Sequence, residues 1–174
     1  DPKYAAVDID GDARTVEGEA LKIGGVSFQF HHTPHVHNAD EGISKPCTGL
    51  RIWMEDGVEF YFTSDTQFRA DISDRYPNSS CIFHDCTFMQ PFEGSVHTHY
   101  SQLQTLPPAV RKKVVLMHHT AVPAGVFVKQ DGFVGAANRH DTWVVDMDGA
   151  QCTSCGLLEP MEFSCSDPFE WVLP

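Results

Sequence analysis

Val58-Glu59-Phe60-Tyr61-Phe62-Thr63-Ser64-Asp65-Thr66 decides the reading of this chain. Its first five residues are rich in aromatic side chains and predict a strand. The strand runs into a short polar segment that holds a carboxylate. Two later stretches repeat the pattern: Ser80-Cys81-Ile82-Phe83 leads into His84-Asp85-Cys86, and Val114-Val115-Leu116-Met117 leads into His118-His119. Strands buried on both faces read as continuous apolar runs. Ligands in such sheets collect beyond the strand ends. The polar residues after the three strands are therefore expected to converge on one site.

Upstream, Ala20-Leu21-Lys22-Ile23 runs into Gly24-Gly25, and Val26-Ser27-Phe28-Gln29-Phe30 then alternates apolar and polar. That pattern predicts two short strands joined by a tight turn. Residues 31–47, with Pro34, Asn38, Gly42 and Pro46, read as a loop. Leu50-Arg51-Ile52-Trp53-Met54 alternates again, and Glu55-Asp56-Gly57 reads as the hairpin turn that leads back into Val58. Residues 69–79 predict a short helix and a turn. Residues 100–106 predict a helix closed by Pro107-Pro108. Thr142-Trp143-Val144-Val145 predicts a further strand. The acidic run Asp8-Ile9-Asp10-Gly11-Asp12 lacks the downstream Glu of a calcium loop and reads as a surface turn. No repeat or linker divides the 174 residues, which read as one domain.

The chain carries 24 acidic against 12 basic residues, a formal net charge of -12. This excludes a nucleic-acid duplex gripped mainly by basic surface. A small anionic ligand held through metal stays possible, because a bound cation reverses the local field. No apolar run is long enough to span a bilayer. Asp1-Pro2-Lys3 is not a natural start and reads as a cut N-terminus. The six cysteines form no dense framework, and the expectation is reduced thiols in a cytoplasmic protein. The single CxxC of Cys152 and Cys155, with Cys165, lacks a fourth ligand at zinc-finger spacing.

Ten histidines are the more telling feature. Neutral imidazole and carboxylate suit zinc, iron and manganese. A catalytic metal keeps one position open for water and lowers its pKa towards neutrality. The ligand candidates are His31, His32, His35, His37, Asp65, His118 and His119. The plainer readings are an Asp65 that caps a turn, a His118 bonded to a backbone carbonyl, and a His97–Asp85 pair with only a structural role.

Several segments together resemble the metallo-β-lactamase superfamily, and within it the phosphodiesterase branch near ribonuclease Z. Phe62-Thr63-Ser64-Asp65-Thr66 is similar to the family's strand ending in Gly-Asp-Thr, with Ser64 in place of Gly. Phe83-His84-Asp85-Cys86-Thr87-Phe88 resembles the segment that presents an acidic residue. His97-Thr98-His99-Tyr100-Ser101-Gln102-Leu103 resembles the helix start that follows. Val114-Val115-Leu116-Met117-His118 resembles the strand that delivers the last metal-binding His. Thr33-Pro34-His35-Val36-His37-Asn38 is a weaker fifth segment, in which His35 is chosen as the middle His, with His37 and His32 as alternatives. The set spans roughly residues 20–135 in the family's order.

The resemblance implies an α/β fold, the second half of an αββα sandwich, and two divalent metal ions, zinc first, with manganese or iron as alternatives. His35, Asp65 and His118 would hold metal, with Asp65 bridging. His97 would protonate the leaving group or stabilise charge in the transition state, and Asp85 would accept from His97 and fix its tautomer. A metal-activated hydroxide would attack a phosphodiester in a small anionic substrate such as a nucleotide. The family's His-x-His-x-Asp-His is absent. The expectation is therefore either a hydrolase completed by an N-terminal half or chain, or a non-catalytic subunit that binds or regulates. Half a sandwich leaves a sheet face and edge bare, so a homo-oligomer or a complementing N-terminal chain is expected. No membrane partner is expected.

Overall fold

Alternation of side chains explains how the sheet is built, because successive residues of a strand point to opposite faces. In the computed structural model, which describes residues 20–38, 43–90, 95–153 and 171–172, seven strands form one sheet in chain order. These are β1 (Leu21–Ile23), β2 (Val26–Asn38), β3 (Ile43–Met54), β4 (Glu59–Phe62), β5 (Cys81–Asp85), β6 (Val114–Met117) and β7 (Gly135–Ala136). Neighbours from β1 to β4 are antiparallel, and those from β4 to β7 are parallel. The sheet is therefore mixed. The predicted hairpin turns stand at Gly24-Gly25 and Glu55-Asp56-Gly57, where all three glycines take positive φ.

The apolar runs of β5 and β6 are explained by burial on both faces. Ile82, Val114 and Leu116 belong to one cluster with Ile72, Leu103, Val110 and Phe133. Cys81, Phe83 and Val115 belong to the opposite cluster with Val26, Ile52, Phe60 and Trp143. The first face is covered by the short helices α1 (Ile72–Arg75), α2 (Tyr100–Leu103) and α3 (Pro108–Arg111). The second is covered by a small antiparallel sheet of β8 (Thr142–Asp146), β9 (Gly149–Cys152) and β10 (Trp171–Val172), ordered β10-β8-β9. Each described helix has four residues, far shorter than the helical layers the resemblance implies. Pro77 and Pro107 stop the chain from continuing α1 and α2.

The largest departure from the sequence reading is residues 31–47. These were expected to form a loop, yet β2 runs on to Asn38 and pairs with β3 from Ile43. The pairing shifts register between Thr33 and Val36, around Pro34. A bulge is where a strand accommodates a proline, because the unpaired residue needs no ladder hydrogen bond. Leu21, Ile23 and Phe30, on β1 and β2, remain exposed. Residues 8–12 and most of the tail beyond Cys152 lie outside the described residues. The expectation of reduced thiols fails at Cys152, which is disulfide-bonded. Cys47, Cys81 and Cys86 are free, and burial pushes the Cys81 and Cys86 thiols up to about 12.

Candidate functional site

The three parallel strands deliver their polar ends to one place. After Phe62 the backbone of Thr63 donates to the Phe83 carbonyl oxygen at 2.9 Å, extending the ladder by one residue. Ser64 then adopts φ 54, a left-handed turn that brings Asp65 off the strand axis. This is the conformation glycine adopts without cost, and in an L-residue it costs roughly 1–2 kcal/mol. His118, directly after β6, does the same with φ 58. Two strained residues thus flank the strand ends, the kind of place where such strain collects.

Asp85 ends β5 with its side chain fully buried. Its Oδ2 accepts from the backbone N–H of Thr66 at 2.9 Å and from His97 Nδ1 at 2.9 Å. Its Oδ1 accepts from His118 Nδ1 at 3.2 Å. The same His118 nitrogen lies 3.0 Å from Asp65 Oδ1. A separation beyond a nanometre between Asp65 and His118 would have refuted the expected convergence. From the other side His35 Nε2 lies 3.8 Å from Asp65 Oδ2, too long for a hydrogen bond. The His35 and His97 rings are 5.4 Å apart, and those of His97 and His118 are 5.1 Å apart. All five residues expected to carry the chemistry are thus brought together.

Threonines hold this arrangement in place. Thr63 Oγ1 accepts from the Asp85 N–H at 3.0 Å and donates to the Ser64 carbonyl oxygen at 2.9 Å. Thr66 Oγ1 donates to the Pro34 carbonyl oxygen at 3.1 Å, and Gln67 N–H donates to the same oxygen at 2.7 Å. This contact ties the β2 bulge, and with it His35, to the Asp65 turn. Thr98 Oγ1 donates to the Thr66 carbonyl oxygen at 2.9 Å, which fixes the segment that carries His97. The sequence reading missed these three threonines. Their signal was the pair flanking Ser64-Asp65 and the Thr between His97 and His99.

The other histidines have separate places. His31 is half-buried in β2, with Nε2 2.9 Å from the Tyr76 hydroxyl and its ring edge-on to Tyr61 and Tyr76. Burial, then the charges of Arg75, His32 and Arg51, push its imidazole down to about 4. His84 is buried, donates from Nδ1 to the Asp85 carbonyl oxygen at 2.7 Å, and is pushed down by burial. His99 caps α2, with Gln102 completing a capping box. The side chain of His37 lies outside the described residues.

Two overlapping sets could each hold an ion: His35, Asp65 and His97, and Asp85, His97 and His118, with donor atoms within 4.8 Å of one another. The donor chemistry fits a divalent metal. Among the described residues no Lys or Arg pairs with Asp65 or Asp85, so the side chains that pair with these two carboxylates are imidazoles, beside the Thr66 N–H on Asp85. His35 Nε2 is buried with no hydrogen-bond partner, an unmet requirement that an ion would satisfy. Donors sharing one ion at about 2.1 Å stand roughly 3–4 Å apart, the range of the His35–Asp65 separation.

Known proteins share parts of this sequence. The Anti-Pycsar protein Apyc1 of Paenibacillus harenae is 37% identical over 62 residues, 34% of this chain and 25% of that protein. The protein of the same description from Paenibacillus xerothermodurans is 29% identical over 86 residues, 48% of this chain and 33% of that protein. The matches thus span a quarter to a third of these relatives' length. Among solved structures, the metallo-beta-lactamase fold protein YhfI from Bacillus subtilis is similar at TM-score 0.47 and 15% identity, over 69% of this chain and 48% of that one. The sequence model of the family described as Anti-Pycsar protein Apyc1 matches residues 10–143, most of the chain and every residue of the site, and the chain belongs to that family.

Proposed function

We propose that this chain carries part of the metal centre of a hydrolase that cleaves phosphodiester or related bonds in a small anionic substrate such as a nucleotide. The observation that carries this reading is the meeting of Asp65, Asp85, His97 and His118, with His35 beside them, at the ends of three adjacent strands. His35, Asp65 and His118 would hold two divalent ions, zinc first, with manganese or iron as alternatives. Such ions lower the pKa of water and stabilise charge on phosphoryl oxygens. The rest falls to the protein. His97 has Nδ1 committed to Asp85, so Nε2 is the nitrogen left to hand a proton to the departing oxygen. Asp85, itself held by Thr66 and the β5 strand, keeps that imidazole in one tautomer and one orientation.

The His-x-His-x-Asp-His that would complete such a centre is not within these residues, and a complementing N-terminal segment or chain would supply it. The name of the relatives sets them against Pycsar, and that action is extended to this chain as part of the same reading. So is a cytoplasmic location. No described helix is long and apolar enough to cross a membrane. The Cys152 disulfide weighs against the cytoplasm, where such bonds are rare.

The test is metal content by mass spectrometry together with hydrolysis of bis(p-nitrophenyl) phosphate, for the chain alone and with its complementing segment. We expect bound zinc or manganese and turnover. Asp65→Ala should weaken metal binding by more than the roughly 10–100-fold typical of losing a supporting hydrogen bond. A stable chain that takes up no metal and hydrolyses nothing in either form overturns the hydrolase and leaves a binding or regulatory subunit.

A further inference from the structure

Beside the Asp65 turn lies a cavity of about 10 Å³ whose lining includes Thr33, Thr63, Thr66 and His84, together with Gln67 and Arg75. It is far too small for an organic ligand. It has about the room that one water molecule needs. His84 is only 2% exposed, and the chemistry at the strand ends makes no use of it.

The hydrogen bonds around this cavity leave several acceptors and no donor among them. His84 Nδ1 meets a carbonyl oxygen, that of Asp85 at 2.7 Å, so Nδ1 must carry the ring hydrogen. Burial disfavours a charged ring, and Nε2 is then a bare lone pair with no partner among the described residues. The three threonine hydrogens are committed to backbone carbonyl oxygens. Thr33 Oγ1 donates to Asp65 at 3.3 Å, Thr63 Oγ1 to Ser64 at 2.9 Å and Thr66 Oγ1 to Pro34 at 3.1 Å. Each of these hydroxyls keeps at least one lone pair. An anion would meet four lone pairs here and is excluded. Water meets the need, giving one hydrogen to His84 Nε2 and one to a threonine oxygen. Arg75 and Gln67 donate to the His32 and Ser95 carbonyl oxygens and have further N–H groups for the water oxygen.

We infer that one water molecule occupies this cavity, bonded to His84 Nε2, and that His84 acts through it as a positioning residue for Asp65. The three threonines are those that shape the Asp65 turn. Thr33 holds the Asp65 backbone, Thr63 holds the Ser64 carbonyl oxygen and the Asp85 N–H, and Thr66 holds the Pro34 carbonyl oxygen just before His35. A water bonded to one of them ties β5 to that turn through a side chain outside the candidate metal centre. The water and its hold on the turn are independent of the hydrolase reading. The consequence for metal affinity rests on that reading.

The experiment uses the full chain, free of metal, in solution. Magnetisation transfer in NMR reads whether a long-lived water lies against the His84 ring protons. Hydrogen exchange reads the Thr66 N–H, which donates to Asp85 Oδ2 at 2.9 Å. The Ile82 N–H, which donates to the Lys113 carbonyl oxygen at 2.8 Å, is the reference for the sheet as a whole. Both measurements are repeated on His84→Phe, which keeps a ring and loses the acceptor, and on His84→Gln, which keeps an acceptor. The parent should show the water and His84→Phe should not. Exchange at Thr66 should rise in His84→Phe roughly tenfold relative to Ile82, the scale of one lost hydrogen bond, and His84→Gln should restore most of it. Zinc affinity by calorimetry should fall roughly tenfold in His84→Phe, the low end for loss of a supporting contact, and recover in His84→Gln. Absence of the water in the parent overturns the inference, and that result needs no variant to fold. So does His84→Phe with parental exchange at Thr66, or with Thr66 and Ile82 accelerated equally, which is a loss of overall stability only. Unchanged zinc affinity in His84→Phe, where the parent binds zinc, overturns it too. Water at His84 and a local effect at Thr66 without zinc binding or hydrolysis in any form sinks the hydrolase and keeps the inference. Zinc binding and hydrolysis of bis(p-nitrophenyl) phosphate without the water does the reverse.

Discussion

Asp85 is the residue on which the arrangement can be tested without any knowledge of substrate. Its carboxylate is fully buried and accepts from three donors: Thr66 N–H at 2.9 Å, His97 Nδ1 at 2.9 Å and His118 Nδ1 at 3.2 Å. Replacement by alanine treats these donors differently. His97 and His118 are about a third and a half exposed, so water can take over much of what they lose. Thr66 is buried, and its N–H would have no acceptor. An unsatisfied buried donor costs about 1–3 kcal/mol. Relief of the desolvation of a buried carboxylate offsets part of the total. The expected net loss for Asp85→Ala is about 1–3 kcal/mol.

Asp85→Asn separates the contributions. An amide oxygen in the Oδ2 position can still serve Thr66 and His97, while the NH2 group faces His118, which then has to accept through Nδ1. The loss should therefore be smaller than that of alanine, by about 0.5–1.5 kcal/mol. The assay is urea unfolding with a chelator present, so that metal binding does not enter, reading the midpoint at unchanged slope. The reasoning is refuted if alanine costs no more than asparagine, or if either variant is more stable than the parent.

Two further predictions concern the far end of β2. The folded form holds the His31 proton less tightly than the unfolded chain, about 4 against an ordinary 6.5, so the stability this group contributes is complete above pH 6.5 and is lost as pH falls towards 4. The loss should reach up to ~3 kcal/mol, and His31→Gln should flatten the pH-stability curve across that window; parallel curves for the two proteins would contradict it. Gly49 pairs with His31 across β2 and β3, and a Cβ there would overlap the His31 ring and stand 2.8 Å from the Phe62 carbonyl oxygen. Gly49→Ala should lower stability by about 1–3 kcal/mol in thermal or urea unfolding, and a neutral result would mean the strands separate more easily than this packing allows.

The convergence of the site was legible because it rests on runs that sequence reports well. Cys81-Ile82-Phe83 and Val114-Val115-Leu116-Met117 are apolar at every position, which only burial on both sheet faces explains, and parallel neighbours put their ends side by side. The residue after each run then had to stand at the same edge. The helical layers were less legible. A short periodic stretch such as residues 100–106 is compatible with one turn or with two, and Pro107 settles the matter only at its end.

The choice among His32, His35 and His37 shows where such reading stops. In a regular strand His31 and His35 would share a face, as would Thr33, while His32 and Pro34 would point the other way. Yet His31 goes to Tyr76 and Tyr61, and His35 goes to Asp65. The register shift between Thr33 and Val36 breaks the alternation that would have linked them. Proline and polar residues, taken locally, argue for a loop here. The contacts that keep the strand are distant: Thr66 and Gln67 bonding to the Pro34 carbonyl oxygen, and Gly49 making room beside His31. The contacts to Pro34 exist only once the Asp65 turn is in place. The position of His35 is thus set by the same turn that presents the carboxylate it faces, so the two residues are expected to gain or lose their geometry together.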